Sequence, residues 1–486
     1  MAWRTYVSRG YFSLTPYTDT WRPLFTLGTR AVASLAGRSP APHRAPWLLL
    51  HLLAGALLAG LAASLGLPAQ TAAWGAALFL LHPAQVESLM CATHSSTVMA
   101  GAGLLGMLRA HRAGRHALAA AAFAFAMLSK EHGLLGLPLA ALMDVLATGG
   151  LSPRPYAGYA ALAAAYGAAR FGWFALPGGL APAIPWADRL LLGAQAWATA
   201  WRVLALPAGL RIEYFAVPPR GAEAAAWLLA AALIAAALAW LGAALWRRSR
   251  PALFFALLPI PLLAAVSPLS PADVLTLRLT AERFLYAPAA GFAVTVAWLL
   301  RGRPGILAAL LALWTGLSAA RAAAWADETR LWGGLARHYP WSSKAHEGLG
   351  DAWLRKGRHA EAAAAYEAAL AARRERGDRV LAYYVPLTPA LGWERASLHR
   401  GLGLARLGLG EPEEAAKQLR RAIELAPASE GLAYRALAYL EASRGRFAEA
   451  QAVARGGLER APSDAFLQRL ERDAAAGRLG FRAEFR

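Results

Sequence analysis

Residues 223–246 read EAAAWLLAAALIAAALAWLGAALW and run straight into Arg247, Arg248 and Arg250. One glutamate opens the stretch and no other charge interrupts it. As an α-helix it would rise roughly 36 Å, more than the roughly 30 Å hydrocarbon core of a bilayer. That core holds no water to bond backbone amides, so only a segment that satisfies them internally can cross it. The basic cluster that follows is what a cytoplasmic flank carries. This stretch decides the class: a helical integral membrane protein.

Working outward, nine further apolar stretches read as spans: 46–66, 72–90, 95–110, 115–129, 132–148, 155–176, 251–267, 284–300 and 303–321. Composition agrees, with 57% apolar and 16% charged residues; soluble domains sit nearer half and a quarter. Arginines cluster at 109, 112 and 115, at 247, 248 and 250, and at 301 and 303. Placing all three loops inside satisfies the positive-inside rule. The loops around Glu87, Lys130 and Glu282 then face outward, and parity carries the C-terminal part outward too. Residues 189–210 are apolar but carry Arg202 in their middle, so they read as a helix lying in the outer interface. Residues 1–45, with six arginines, become an extracytoplasmic or interfacial segment whose arginines meet phosphates. Met1–Pro46 holds no apolar core long enough for a cleavable signal peptide.

The net charge of +20 fits lipid headgroups. No run of basic residues interleaved with aromatics points to nucleic acid. Cys91 is the only cysteine, so no intrachain disulfide forms.

After about residue 325 the sequence becomes charged, Ala-rich and periodic. Leu349, Gly350, Trp353, Ala362, Tyr366 and Ala369 fit one tetratricopeptide (TPR) helix-turn-helix unit. Leu402, Gly403, Ala415, Leu419, Ala422 and Pro427 fit a second, and Tyr434, Leu437, Ala450 and Pro462 a third. The second and third are offset by 35 residues, from Ala415 to Ala450 and from Pro427 to Pro462. An insert around 371–392 separates the first two. The expected fold is all-α: a polytopic transmembrane helical bundle over 46–321, followed by a TPR α-solenoid over 325–486.

Ionisable residues at the edge of a membrane segment are costly and so mark function. Four clusters qualify. Arg22, in Trp21-Arg22-Pro23-Leu24, with His51 beyond, suits bidentate contact with phosphate, and equally a snorkelling interfacial anchor. His82-Pro83-Ala84-Gln85-Val86-Glu87 offers a carboxylate able to bind sugar hydroxyls, hold a metal or act as general base, or simply to cap a helix. Ser129-Lys130-Glu131-His132 holds the only lysine before residue 344, where 46 of the chain's 50 basic residues are arginine. A compact ammonium suits phosphate contact or a buried ion pair with Glu131. Glu282-Arg283-Phe284-Leu285-Tyr286 fits either an internal salt bridge or an Arg that binds phosphate.

The order of these motifs resembles a known family. "WRPL" at 21–24, "LLLH" ending at His51, "LHPAQVES" at 81–88 and "LSKEHG" at 128–133 follow one another. "WRVLALPAGLRIEY" at 201–214, "AERFLYAPAAGF" at 281–292 and "DETRLW" at 327–332 complete the series, with "YF" at Tyr11–Phe12 ahead of it. The chain thereby resembles bacterial membrane proteins related to the TPR-containing O-mannosyltransferases, of the GT-C glycosyltransferase class. The resemblance implies transfer of a sugar, mannose-type, from a polyprenyl-phosphate donor to a protein hydroxyl outside the cytoplasm of a bacterial inner (plasma) membrane. It implies Arg22, Lys130 and Arg283 as a clamp on the donor phosphate. Glu87 and His82 are then candidates for the base, with Glu131, Glu282, Tyr286 and His51 in support. A divalent metal is left open, and the TPR groove holds the acceptor or a partner. In that family a further span and an outer loop with an acidic pair precede these motifs. Here Asp19 is the only acidic residue before Glu87 and does not match that position, so either the pair is encoded in the DNA upstream of Met1, which would support the enzyme, or the chain is not a competent transferase. A stop codon there would favour a non-catalytic membrane TPR scaffold for envelope proteins. A transporter is less favoured, for want of an inverted hydropathy repeat.

Overall fold

The structure is a computed structural model and describes residues 21–36, 40–151, 153–173, 185–216, 218–264, 278–372, 389–427 and 430–483. Tyr11–Phe12, Asp19 and most of the 371–392 insert lie outside the described residues. What is described is all-α, apart from a short antiparallel pairing of Tyr214–Phe215 with Arg278–Thr280. The chain divides into two compact units, Met1–Ala326 and Asp327–Arg486.

Among the described residues of the first unit three helices are long and apolar enough to cross a membrane: Ala41–Ser64, Gly221–Arg248 and Pro304–Trp325. In the helix Gly221–Arg248 the one buried residue among those described is Leu245, while Leu228, Leu233 and Trp240 are exposed. A soluble protein seldom presents so large an apolar face to water.

The other apolar stretches give shorter helices. Ala69–Leu81 and Gly136–Thr148 have 13 residues each and His116–Ser129 has 14, a rise of roughly 20 Å at 1.5 Å per residue. Each is cut short at a polar turn. After Leu81 the residue preceding Pro83 is pushed out of helical geometry, and His82 is extended (φ −66°, ψ 125°). A 3₁₀ turn Pro83–Gln85 and the short helix Val86–Met90 follow. After Ser129, Lys130 is likewise extended (φ −163°, ψ 145°) and leads into a 3₁₀ turn at Glu131–Leu135. Hydropathy merges such broken pieces into one stretch; the backbone separates them and sets polar residues at the breaks. Residues 189–210 largely form the helix Trp186–Ala205, with Leu192, Ala196 and Val203 buried and Trp186 and Leu190 exposed.

Small residues let these short helices close. A Cβ on Gly133 would lie 2.3 Å from the Ala126–Met127 backbone, and one on Gly291 would lie 2.4 Å from the Phe255 carbonyl.

In the second unit the helices pair as TPR units: Ser343–Arg355 with His359–Ala372, Pro389–Gly408 with Pro412–Leu425, and Gly431–Ser443 with Phe447–Leu458. The turns between paired helices carry Gly357, Gly410 and Gly445 at φ +70°, +73° and +74°, a region that costs an L residue its Cβ clash. Ala362, Ala369, Ala415, Ala422 and Ala450 are fully buried at the crossings. The Tyr366 ring lies against both Gly350 and Gly401, and its hydroxyl donates to Asp351 Oδ1 at 2.6 Å.

Candidate functional site

The polar breaks of the first unit gather. Glu87, in the first turn of Val86–Met90, is fully buried. Arg283 Nη1 donates to its Oε1 at 2.6 Å and the Arg283 backbone N–H to its Oε2 at 2.8 Å. His94 Nδ1 lies 3.0 Å from Oε1, without hydrogen-bond alignment. Arg283 Nη2 also faces Glu213 Oε1 at 3.6 Å. The Tyr214–Thr280 strand register sets this up, because it draws the 201–214 and 281–292 motifs side by side.

The second group surrounds the end of His116–Ser129. Lys130 is 4% exposed and its Nζ donates to Thr97 Oγ1 at 2.7 Å. The ammonium also lies 5.1 Å from the centre of the Phe284 ring, which Arg283 meets at the same distance. Among the described residues no carboxylate stands within ion-pair distance of Lys130. Glu131, the neighbour that could have filled that role, is taken by Arg22, whose Nη2 donates to Oε2 at 2.9 Å. Burial alone would raise Glu131, but Arg22 overrides it and holds the carboxyl at about 2. Burial, with Arg22 nearby, pushes the Lys130 amine well below its ordinary range. Thr97, Lys130, His132 and Arg283 line one narrow cleft of about 20 Å³, walled by Leu104, Leu262 and Phe284.

The remaining expected site residues are placed as follows. Glu282 is fully buried and accepts from Arg321 Nη2 at 3.1 and 3.2 Å. Burial wins over that arginine and pushes its carboxyl up to about 8. His51 and Tyr286 meet, with 2.8 Å between Nδ1 and the phenol oxygen. His51 Nε2 faces the Leu80 carbonyl at 3.1 Å; a carbonyl only accepts, so Nε2 carries the proton and the Tyr286 hydroxyl donates to Nδ1. His82, like Glu87, is fully buried. Both nitrogens of His82 are engaged: Nε2 donates to the Leu204 carbonyl at 3.0 Å and Nδ1 accepts from the Ala84 N–H at 3.2 Å. The ring is thereby tied into backbone, with Trp314 against it edge-on at 4.5 Å.

The structure thus joins Glu87 with Arg283, Arg22 with Glu131 and His51 with Tyr286, and it opens Lys130 and Arg283 onto one cleft. It adds three residues to those chosen from sequence: Thr97, Glu213 and Arg321. Glu213 stands inside the 201–214 motif and Arg321 at the end of an apolar run, and both are charges of the kind that mark a site there. Among the described residues no group of three or more His, Cys, Asp or Glu gathers as a metal-ligand set.

In the second unit a tetratricopeptide-repeat model matches residues 401–429, which span the Pro389–Gly408 and Pro412–Leu425 crossing. The chain therefore carries a TPR element of the kind that binds protein. No curated protein matches the chain.

Proposed function

We propose that this protein is a membrane glycosyltransferase that moves a sugar from a polyprenyl-phosphate donor to a protein hydroxyl on the extracytoplasmic side, with the TPR unit holding acceptor or partner. The observation that carries this reading is the buried amine of Lys130, with no carboxylate at ion-pair distance among the described residues and facing the cleft it shares with Arg283. A buried cation without a counter-ion is costly; an anion brought into the cleft would restore its charge and hydrogen bonds. A phosphate at a membrane interface supplies that anion. Arg283 and Arg22, held by Glu87 and Glu131, flank the same region, and the phosphate leaving group develops its charge there.

The cleft of about 20 Å³ holds one water, so donor binding includes an opening in which Phe284 and Lys130 move apart. Glu87 is the candidate base for the acceptor hydroxyl. His82 is assigned to support rather than proton transfer, since both its nitrogens are used. The apolar stretches are read as ten spans in a bacterial inner membrane, the short ones packed inside the bundle, with the breaks at Glu87, Lys130 and Glu282 outward. The scaffold alternative draws on one observation of its own, the TPR match at 401–429. The deciding experiment is transfer of radiolabelled sugar from polyprenyl-phosphate carrier to envelope protein, in membranes expressing the gene with the DNA upstream of Met1. Transfer above that of membranes lacking the gene supports the enzyme. No transfer from any polyprenyl-phosphate sugar leaves the scaffold.

A further inference from the structure

A second cavity lies in the first unit and shares no lining residue with the Lys130 cleft. It is a half-open groove of about 670 Å³ between the helices Pro40–Ser64, Ala69–Leu81 and Pro304–Trp325 and the turn at 85–90. That volume is in the range of small-molecule sites, roughly 300–1,000 Å³. Its walls are apolar, with Leu48, Leu80 and Ala322 among them. His51, His82, Thr315 and Ser318 also line it, with their polar atoms already bonded inside the protein; two further polar residues, Arg44 and Gln85, do not have all of theirs engaged. Arg44 lines the groove two residues before the expected span 46–66, exposed and without an ion pair among the described residues. Gln85 is 1% exposed; its Nε2 donates to the Tyr286 carbonyl at 3.4 Å, and its Oε1 has no hydrogen-bond partner. An orphaned buried acceptor costs free energy until a donor reaches it.

We infer that this groove seats an anionic phospholipid whose headgroup carries hydroxyls: acyl chain on the leucine wall, phosphate at Arg44, a headgroup hydroxyl on Gln85 Oε1. Charge complementarity selects the anion. The uncompensated acceptor selects a donor in the same molecule, and the depth of Arg44, just outside the apolar span, matches that of a lipid phosphate. The inference requires only that the first unit be embedded in a membrane. It does not depend on sugar transfer.

The test uses the full chain purified in neutral detergent and reconstituted into nanodiscs of phosphatidylethanolamine and phosphatidylglycerol at equal amounts. Lipid still bound after re-extraction is counted by native mass spectrometry. Phosphatidylglycerol is expected to stay bound in preference to phosphatidylethanolamine. Arg44→Ala should lower its retention about fivefold, the equivalent of losing one basic contact with an anionic headgroup. Ala77→Trp, which fills the groove from the helix Ala69–Leu81, should abolish retention. Thermal melting of each variant identifies any that fails to fold, and Gln85→Met then serves as the second, milder probe, expected to weaken the preference while leaving the walls intact. Equal retention of both lipids overturns the headgroup assignment. Wild-type retention in Ala77→Trp overturns the location. Displacement of phosphatidylglycerol by an equimolar undecaprenyl phosphate makes the groove a carrier seat and overturns the phospholipid.

Discussion

Arg283 grips Glu87 with two different groups, its guanidinium at 2.6 Å and its own backbone N–H at 2.8 Å, across 196 residues of sequence. The carboxylate is fully buried and the arginine nearly so. Removing one partner from such a pair leaves a buried charge uncompensated, at about 3–5 kcal/mol. Arg283→Met is therefore expected to lower the melting temperature sharply, whether or not catalysis is measured. Glu87→Gln keeps an acceptor for the backbone N–H and should cost less. Equal melting temperatures for wild type and Arg283→Met would show that the pair does not form.

The Arg22–Glu131 pair predicts an acid limit. Its carboxyl is held at about 2, below the ordinary 4.5. A depressed carboxyl stabilises the folded state above its unfolded value and loses that contribution as pH falls from about 4.5 towards 2. Glu131 is about a third exposed at its side chain, so solvent screens the effect. Arg22→Gln should move acid unfolding, followed by tryptophan fluorescence in detergent, to higher pH. An unchanged acid midpoint would remove the pair from the stability of this loop.

The two units differ in what their sequence discloses. TPR register is local: Ala415, Ala450 and the turn glycines at 410 and 445 recur at one spacing, and a repeat needs only its neighbours to pack. The apolar stretches of the first unit were legible as membrane-like, and Glu87, Lys130 and Glu282 as charged residues at the breaks between them. Their pairing was not. Lys130 beside Glu131 in sequence suggests an ion pair, yet the extended backbone at Lys130 sends the two side chains apart, to Thr97 and Arg22. Glu213 reaches Arg283 only through a strand pairing of two or three residues, too short to leave a periodic signal. The breaks within the apolar stretches were hidden for a similar reason, since a hydropathy window does not register a 3₁₀ turn at Pro83.

Orientation is checked without any substrate. If the arginine clusters at 109–115 and 247–250 lie inside, as the positive-inside rule expects, parity puts the C-terminus outside. Alkaline phosphatase fused after Arg486 should be active and a cytoplasm-dependent fluorescent reporter dark. The reverse result would turn the breaks at Glu87, Lys130 and Glu282 inward and remove the donor from their reach.

Packing of the repeats is tested at Ala415. It is fully buried, and the Gly403 position it faces is so close that an added Cβ would meet Leu419 at 2.8 Å. Ala415→Trp should cost about 1–3 kcal/mol by overpacking. Urea unfolding of the 325–486 fragment reads this directly, and the melting of the membrane unit in the full chain should not move. A fragment as protease-resistant as wild type would mean the helix crossing is not at this residue.

Lys130 separates the proposed chemistry from a structural role more sharply than the other residues. If its ammonium waits for a donor phosphate, removing it takes away a contact made most strongly as the leaving group gains charge. Such a loss is about 3 kcal/mol, or roughly a hundredfold in rate. The same removal relieves the protein of a buried amine that, in the resting state, has one hydroxyl and an aromatic face for company. Lys130→Met should then transfer sugar about a hundredfold more slowly while melting no lower than wild type. A structural lysine gives the opposite pattern, with lowered melting and little change in rate per folded molecule. Lys130→Arg keeps the charge, but its planar, longer group would meet Phe284 and Thr97 in a cleft of about 20 Å³, so it should also impair turnover. Wild-type transfer by Lys130→Met in membranes where the parent enzyme is active would take the phosphate away from this residue. Arg283, engaged with Glu87 and Glu213, and Arg22, engaged with Glu131, would then be the cations left to bind it.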